Sequence, residues 1–362
     1  MSESAEPRSG ASRDDGRSRG RRIWILGAAV LLLLVACESG LRFLGGRNSL
    51  FLFRVGAEKE WDPHLGVRLR RNYVNRDIRT NSRGLLGPEF DVRKAPGSWR
   101  IVTLGDSASV MPARYNYPRA LEEHLRARST RRIDVINASC PGYDSRQARV
   151  WYEREIDGYE HDMLLVYLGW NDMGQYNPDG LVYKLQDLGY ARALTILDRI
   201  VLNVYLFRSL YLVRGYWEQL GDVSREPLTA DVARRYREFY PIHFERNLRA
   251  VIELARARGR LVRLLNYAGL VVESPTEAEL HRMHFPRGMG KHLQKYLALK
   301  AAYTRALDTV ARDTATPIID VESFFHDPQR RRVFTDSAHF VEEGSVMLGT
   351  IVADAIQGDI AR

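Results

Sequence analysis

The 362-residue sequence is poor in cysteine, with only Cys37 and Cys140. Cys37 lies in an apolar N-terminal run and Cys140 lies in the body of the chain, so we expect no disulfide framework. Metal-ligand spacing is missing as well. His281 and His284 are three residues apart, but together with His292 they match no recognisable ligand pattern. We therefore expect neither a metal nor another cofactor.

Several chemical signatures are also absent. The sequence contains no GxSxG nucleophile elbow, no P-loop, no GxGxxG after a strand and no HExxH. Helix-turn-helix, zinc-finger and RNA-binding patterns are missing too, although the formal net charge is +9. Because the arginines are scattered, we interpret this charge as solvated surface and expect no nucleic-acid partner. The remaining composition, 45% hydrophobic and 27% charged, is that of a globular protein with a large core.

The N-terminal region predicts a membrane segment. Residues 1–22 are rich in Ser, Gly and Arg and lack aromatic and β-branched residues, so we expect a disordered tail. Ile23–Cys37 is unbroken apolar sequence, and a helix continuing to Leu44 would reach the roughly 20 residues that a bilayer core requires. Four arginines lie within residues 17–22, which places the tail in the cytoplasm by the positive-inside rule. We predict a single-pass anchor over residues 23–44 in the cell membrane, with everything downstream on the extracytoplasmic side.

Two alternatives to an uncleaved anchor stay open. Leu34-Val35-Ala36-Cys37 resembles the bacterial lipobox, which would make Cys37 the lipidated first residue of a mature lipoprotein. A basic region followed by a short apolar core is also typical of a cleaved secretory signal. All three alternatives export the body of the protein.

The body of the chain alternates between strand-like and helical patterns. Residues 45–99 are an irregular lead-in with turn chemistry, and a domain follows over residues 100–362. The predicted strands are residues 100–104, 133–137, 163–168, 261–266 and 317–321. The predicted helices are residues 117–128, 145–156, 244–258, 297–312 and 341–356. This alternation predicts an α/β fold, a parallel sheet with helices on both faces.

One connection is too long for a simple crossover. Residues 173–240 separate the third and fourth strands and contain helical stretches such as Ala193–Tyr216. We interpret them as an insertion that forms a cap or a side subdomain.

Residues suited to acyl chemistry follow the first three strands. Ligands bind at the carboxyl ends of the strands in an open parallel sheet. After the first strand, Gly105-Asp106-Ser107 places a hydroxyl at a strand-to-helix turn, where it can act as a nucleophile. After the second, Gly142 can bring its backbone N–H close to a substrate oxygen, and after the third, Asn171 offers a side-chain donor.

The last strand is followed by Asp336-Ser337-Ala338-His339. A carboxylate three residues before an imidazole can orient it, and the imidazole can then take the proton of a serine. Each motif alone is explained as well by a helix cap or a turn. Together, in four loops at one edge of one sheet, they predict a single site.

These four blocks resemble those of the SGNH (GDSL) hydrolases, in the family's order and across residues 100–358. The resemblance implies a flavodoxin-like three-layer α/β/α fold with a five-stranded parallel sheet. It implies Ser107 as nucleophile, His339 as general base and Asp336 as the residue that orients His339. It further implies an oxyanion hole formed by the backbone N–H groups of Ser107 and Gly142 and the side chain of Asn171.

Two further stretches resemble membrane-anchored bacterial members of that family. They are residues 81–89, NSRGLLGPE, and the Glu38…Leu41-Arg42 stretch that follows the apolar run. The resemblance implies a serine esterase that acts outside the cytoplasmic membrane on an ester-bearing small molecule, lipid or glycan. An O-acyltransferase acting on envelope polysaccharide and a non-catalytic envelope scaffold are the alternatives. The length of residues 173–240 departs from the compact family core, so the resemblance does not imply which acyl group or alcohol the substrate carries.

Overall fold

The computed structural model describes residues 14–45, 58–179, 220–286 and 289–360, together with Leu206 and Trp217. The chain forms two compact units. The first contains the N-terminal helix, and the second contains the sheet and the helices around it. Helices and strands are numbered below in chain order among the described residues.

Helix α1 extends over Asp14–Gly45. Its Arg21–Leu41 stretch has a mean hydropathy of 2.1 and none of it is buried, so it is long and apolar enough to cross a membrane. A signal sequence meets the same criterion. The helix begins inside the segment expected to be disordered (1–22), because each residue added to a formed helix gains a backbone hydrogen bond. Residues 1–13 of that segment lie outside the described residues.

A five-stranded sheet lies at the centre of the second unit. Its strands are β3 (Trp99–Gly105), β4 (Ile133–Asn137), β5 (Met163–Tyr167), β6 (Leu261–Leu265) and β7 (Ile318–Ile319). The spatial order is β4-β3-β5-β6-β7 and every neighbouring pair is parallel. The central strand β5 is buried at every position, which explains its uninterrupted apolar sequence. This order is flavodoxin-like, so the predicted fold is confirmed.

Helices cover both faces of this sheet. They are α2 (Tyr117–Arg128), α3 (Ser145–Arg154), α4 (Trp170–Gln175), α5 (Ala230–Glu238), α6 (Ile242–Ala257), α7 (Glu277–Arg282), α8 (Leu293–Asp313) and α9 (Glu342–Ile360). Helix α2 packs against α9, whereas α6 packs against both α3 and α8. Right-handed crossovers place these two groups on opposite faces, which gives three layers.

Strand β7 is shorter than the sequence predicts. Only Ile318 and Ile319 pair with β6. Beyond them, the side-chain carbonyl of Asn266 accepts hydrogen bonds from the backbone N–H groups of Val321 and Glu322, at 2.7 and 3.0 Å. The chain therefore leaves the ladder before residue 321.

The lead-in packs onto the sheet domain. Strands β1 (Lys59–Asp62) and β2 (Gly66–Leu69) form an antiparallel hairpin, and Leu86 makes an isolated bridge to Asn137 at the end of β4. Apart from Leu206, the helical stretch predicted at residues 193–216 lies outside the described residues. The cap or side subdomain over residues 173–240 therefore stays a prediction.

The contact between α2 and α9 gives a matched pair of stability predictions. A Cβ at Gly349 would lie 2.7 Å from Ala120 Cβ and 2.8 Å from Leu121 N, whereas a Cβ at Gly358 meets nothing within 4 Å. We expect Gly349→Ala to lower the free energy of unfolding by about 1–3 kcal/mol through overpacking. In the same helix, Gly358→Ala should raise it by up to about 1 kcal/mol. Urea unfolding followed by circular dichroism measures both, and equal effects would contradict the packing described.

Candidate active site

Ser107 occupies a tight turn at the carboxyl end of β3. It begins a 3₁₀ turn, Ser107–Ser109, which Asp106 caps by accepting a 2.9 Å hydrogen bond from the backbone N–H of Ala108. A Cβ at Gly105 would lie 2.3 Å from Ser109 Oγ and 2.8 Å from the Tyr167 carbonyl oxygen. Only glycine allows the turn to fold so closely against the end of β5. The turn leaves Ser107 partly exposed at the edge of the sheet.

Three side chains form a row of hydrogen bonds at this edge. Ser107 Oγ lies 2.8 Å from His339 Nε2, and His339 Nδ1 lies 2.8 Å from Asp336 Oδ2. Asp336 Oδ1 also accepts the backbone N–H groups of Ala338 and His339, at 2.8 and 3.0 Å. These backbone bonds fix the carboxylate before the helix α9, so the imidazole can be held in one orientation.

The charges of this row favour a neutral serine next to a basic imidazole. Burial lowers the pKa of His339, but the hydrogen bond and charge of Asp336 outweigh it and the pKa is raised overall. Burial raises the pKa of Asp336, yet the bonds from His339 and the backbone keep it below its usual value. An ionised Asp336 accepts the proton on Nδ1, which leaves Nε2 of His339 free to accept from Ser107.

The loop after β4 contains a turn that requires glycine. Cys140-Pro141-Gly142-Tyr143 is closed by a 3.1 Å hydrogen bond from Tyr143 N–H to the Cys140 carbonyl, and Gly142 has a φ of +86°. Proline at the second position and glycine with positive φ at the third are typical of a type II turn. The sequence therefore determines the path of the backbone through Gly142.

Asn171 connects this turn to the loop that carries Ser107. It is the second residue of α4, a helix that begins directly after Gly169, and Gly169 has a φ of +145°. Its Nδ2 donates hydrogen bonds to the Tyr143 carbonyl oxygen at 3.0 Å and to Asp106 Oδ2 at 3.2 Å. The structure thus brings together the loops that follow β3, β4 and β5.

Behind these loops lies a buried polar group to which the sequence motifs assign no role. Asp172 is fully buried and accepts hydrogen bonds from the backbone N–H and the hydroxyl of Ser145 at the start of α3. The Ser145 hydroxyl also accepts from Asn247 Nδ2 on α6, at 3.0 Å. Asp172 lies five residues beyond the end of β5, and a carboxylate so close to a wholly apolar strand is the sequence signal that indicates such a group.

Trp170 is held in an aromatic stack beside Asn171. Its ring stacks on Tyr267 at 5.9 Å and lies 5.7 Å from the ring of Tyr296. Tyr267 follows β6 and Tyr296 lies in α8, and both rings are buried. The stack fixes the first residue of α4, and so fixes the position from which Asn171 projects.

The histidines considered in the sequence do not assemble a metal site. His281 lies in the last turn of α7, and His292 is the residue before α8. Within the described ranges, no group of three His, Cys, Asp or Glu side chains is placed to hold a metal ion.

A family model described as the GDSL-like Lipase/Acylhydrolase family matches residues 103–345. The search of curated proteins finds no significant match. Similar solved structures include a lipase/acylhydrolase from Enterococcus faecalis, at 15% identity and a TM-score of 0.42, covering 72% of this chain and 96% of that one.

Two further structures are similar to a comparable degree. A variant of Axe2, an acetyl-xylooligosaccharide esterase from Geobacillus Stearmophilus, has 13% identity and a TM-score of 0.44, covering 74% of this chain and 96% of that one. The psychrotrophic esterase EstA from Pseudoalteromonas sp. has 15% identity and a TM-score of 0.37, covering 73% of this chain and 99% of that one.

Proposed function

Because this chain belongs to the GDSL-like lipase/acylhydrolase family, we propose that it is a serine esterase of the SGNH type. In this proposal Ser107 is the nucleophile, His339 is the general base and Asp336 orients the imidazole. The observation that carries the proposal is the unbroken row of hydrogen bonds from Ser107 Oγ through His339 to Asp336.

The geometry supports a two-step acyl transfer. Ser107 Oγ attacks the ester carbonyl carbon while His339 Nε2 takes its proton, and the collapse of the tetrahedral intermediate returns that proton to the leaving alcohol. Water, deprotonated by His339, then attacks the acyl-serine. The acid leaves as the bond to Ser107 Oγ breaks, and His339 returns the proton to that oxygen. No metal or cofactor takes part in this scheme.

The oxyanion hole completes the proposed machinery. Its donors are the backbone N–H groups of Ser107 and Gly142 and Nδ2 of Asn171, each typically stabilising the transition state by about 2.7–4 kcal/mol. In the structure, Nδ2 of Asn171 donates to Asp106 Oδ2 and to the Tyr143 carbonyl. A developing oxyanion competes for one of these hydrogens, as is usual for catalytic hydrogen bonds that tighten only in the complex.

The substrate class of this proposal is an ester-bearing small molecule, lipid or glycan. Product analysis by mass spectrometry separates the reactions: free acid indicates hydrolysis, whereas acyl transfer to an added polysaccharide acceptor indicates an O-acyltransferase. Labelling of Ser107 by a fluorophosphonate tests for an activated serine in either case. Wild-type protein that neither hydrolyses esters nor takes up the label would leave the envelope scaffold as the function.

We also propose that residues 23–44 anchor the chain in the cell membrane, with the site on the extracytoplasmic side. The exposed apolar stretch of α1 and the arginines before it support this. Protease treatment of intact spheroplasts should then digest the sheet domain, and protection of the domain would overturn the orientation. Cys37→Ser separates the anchor from a lipoprotein, since it abolishes membrane retention only if Cys37 is lipidated.

The proposed base predicts the pH dependence of the reaction. His339 accepts a proton only when it is neutral, and its pKa is raised above the ordinary value of about 6.5. Activity should therefore fall as the pH decreases through this raised pKa, with the acid limb of kcat/KM above pH 6.5. A kcat/KM profile for p-nitrophenyl acetate between about pH 5 and pH 9 measures it. An acid limb below the ordinary histidine value would contradict this assignment of the base.

A further inference from the structure

We infer that Asp106 is a positioning residue for the proposed reaction: its carboxylate holds the Asn171 amide with the nitrogen toward the oxyanion and adds a second negative charge near His339. This inference rests on the proposed function and deepens it. In the sequence motif, Asp106 is only the residue before the nucleophile, whereas in the structure its two carboxylate oxygens bind separate partners.

Each carboxylate oxygen of Asp106 has a partner of its own. Oδ1 accepts the backbone N–H of Ala108 at 2.9 Å and caps the turn that carries Ser107. Oδ2 accepts Nδ2 of Asn171 at 3.2 Å. The residue is only 1% exposed, so water does not compete effectively for these bonds. One side chain thus connects the backbone of the nucleophile loop to the side chain of the proposed oxyanion donor.

The orientation of the Asn171 amide follows from its partners. An amide oxygen and nitrogen have nearly the same shape, so the hydrogen-bond partners decide which of them faces the site. Asp106 Oδ2 and the Tyr143 carbonyl can only accept, and both face Nδ2. A flipped amide would place its oxygen against two acceptors, and would offer an oxyanion an oxygen instead of an N–H group.

Asp106 directly precedes Ser107, whose Oγ lies 2.8 Å from His339 Nε2, so its charge lies close to the proposed base as well. The charged groups that act on His339 are Asp336 on its own loop and Asp106 from the end of β3, and both raise its pKa against the effect of burial. Besides burial, the charge of Asp106 also contributes to raising the pKa values of three phenols, those of Tyr117, Tyr167 and Tyr267. Burial raises their pKa values well above the ordinary one, so these phenols are neutral and do not offset the carboxylates.

A double-mutant cycle tests the orienting role. Asp106→Asn keeps an oxygen for Ala108 but turns an NH₂ group toward Asn171, which favours the flipped amide. On the alkaline plateau we expect kcat to fall about 10²–10³-fold with KM nearly unchanged, the size typical of losing one oxyanion donor. In an Asn171→Ala background the same substitution should lower kcat by less than about threefold, because the two residues act as a unit. Equal losses in both backgrounds would overturn the orienting role.

The matched control keeps the local capping geometry but lies outside the proposed site. Asp327 Oδ1 accepts the backbone N–H of Gln329 at 2.9 Å, the same two-residue spacing as at Asp106. Asp327→Asn should therefore leave kcat unchanged. If Asp106→Asn does not fold, Asp106→Ser keeps a capping oxygen and removes Oδ2. We then expect a smaller fall in kcat, which should again disappear in the Asn171→Ala background.

An NMR titration gives a readout that a purely structural role would not change. The imidazole signal of His339 is assigned by its loss in His339→Gln. This signal should titrate at lower pH in Asp106→Asn than in wild type. An unchanged titration would overturn the electrostatic role. If wild-type protein hydrolyses no ester, the proposed function fails, and the titration alone then decides whether Asp106 acts on His339.

Discussion

Replacing Ser107 with alanine is expected to lower kcat for ester hydrolysis by about 10⁴–10⁶-fold. The substitution removes the proposed nucleophile and leaves the rest of the site in place, since His339 keeps its bonds to Asp336. Within the described residues, the hydroxyl of Ser107 donates only to His339 Nε2. The free energy of unfolding should therefore change by less than about 0.5 kcal/mol, as for most substitutions that leave no buried group unpaired.

Steady-state hydrolysis of p-nitrophenyl acetate and urea unfolding measure the two halves of this prediction. Ser274→Ala is the matched control, because Ser274 is exposed in the loop after β6 and should lose neither activity nor stability. Retention of a tenth of the wild-type rate by a folded Ser107→Ala protein would exclude Ser107 as the nucleophile. A large loss of stability would show that the serine supports the turn. The kinetic test would then be made with Ser107→Gly, which also removes the hydroxyl.

The sheet could be predicted from sequence because its signals are local. The segment at 133–137 is bounded by arginines and by polar loop residues, and the structure places β4 at the same residues, Ile133–Asn137. Apolar residues at every position of β5 indicate burial on both faces, which only a central strand provides. The end of β7 could not be predicted, since it depends on the side chain of Asn266, which is distant in sequence.

The candidate site likewise has a part that the sequence predicts and a part that it does not. Topology brings the carboxyl ends of parallel strands to one edge, so Ser107, Asn171 and His339 could be grouped before any distance was known. Their roles stay predictions until the variants are measured. The contact between Asp106 and Asn171 joins residues 65 positions apart and depends on side-chain rotamers, which no local pattern encodes.

The stack of Trp170 on Tyr267 and Tyr296 was equally inaccessible from sequence. These three rings come from the start of α4, the loop after β6 and α8, and no local pattern in any of these segments links them. Only the packed structure shows that they support the start of α4.

Replacing Asp336 with asparagine is expected to lower kcat by about 10⁴-fold while His339 stays in place. In the structure, the backbone N–H groups of Ala338 and His339 donate to Oδ1 of Asp336. Asparagine can accept the same two bonds with its side-chain oxygen. It loses the charge that holds the proton on Nδ1 of the imidazole, and its NH₂ group favours the tautomer in which Nε2 cannot accept from Ser107.

The pH profile distinguishes this electrostatic loss from local unfolding. Asp336 raises the pKa of His339, so the acid limb of the residual activity in Asp336→Asn should lie at lower pH than in wild type. Asp308→Asn, at an exposed position of α8, is the matched control and should change neither kcat nor the limb. In a His339→Gln background, Asp336→Asn should lower kcat by less than about a further threefold, because the carboxylate acts only through the imidazole. A full additional loss there would mean that Asp336 contributes by another route, and would remove it from the proposed triad.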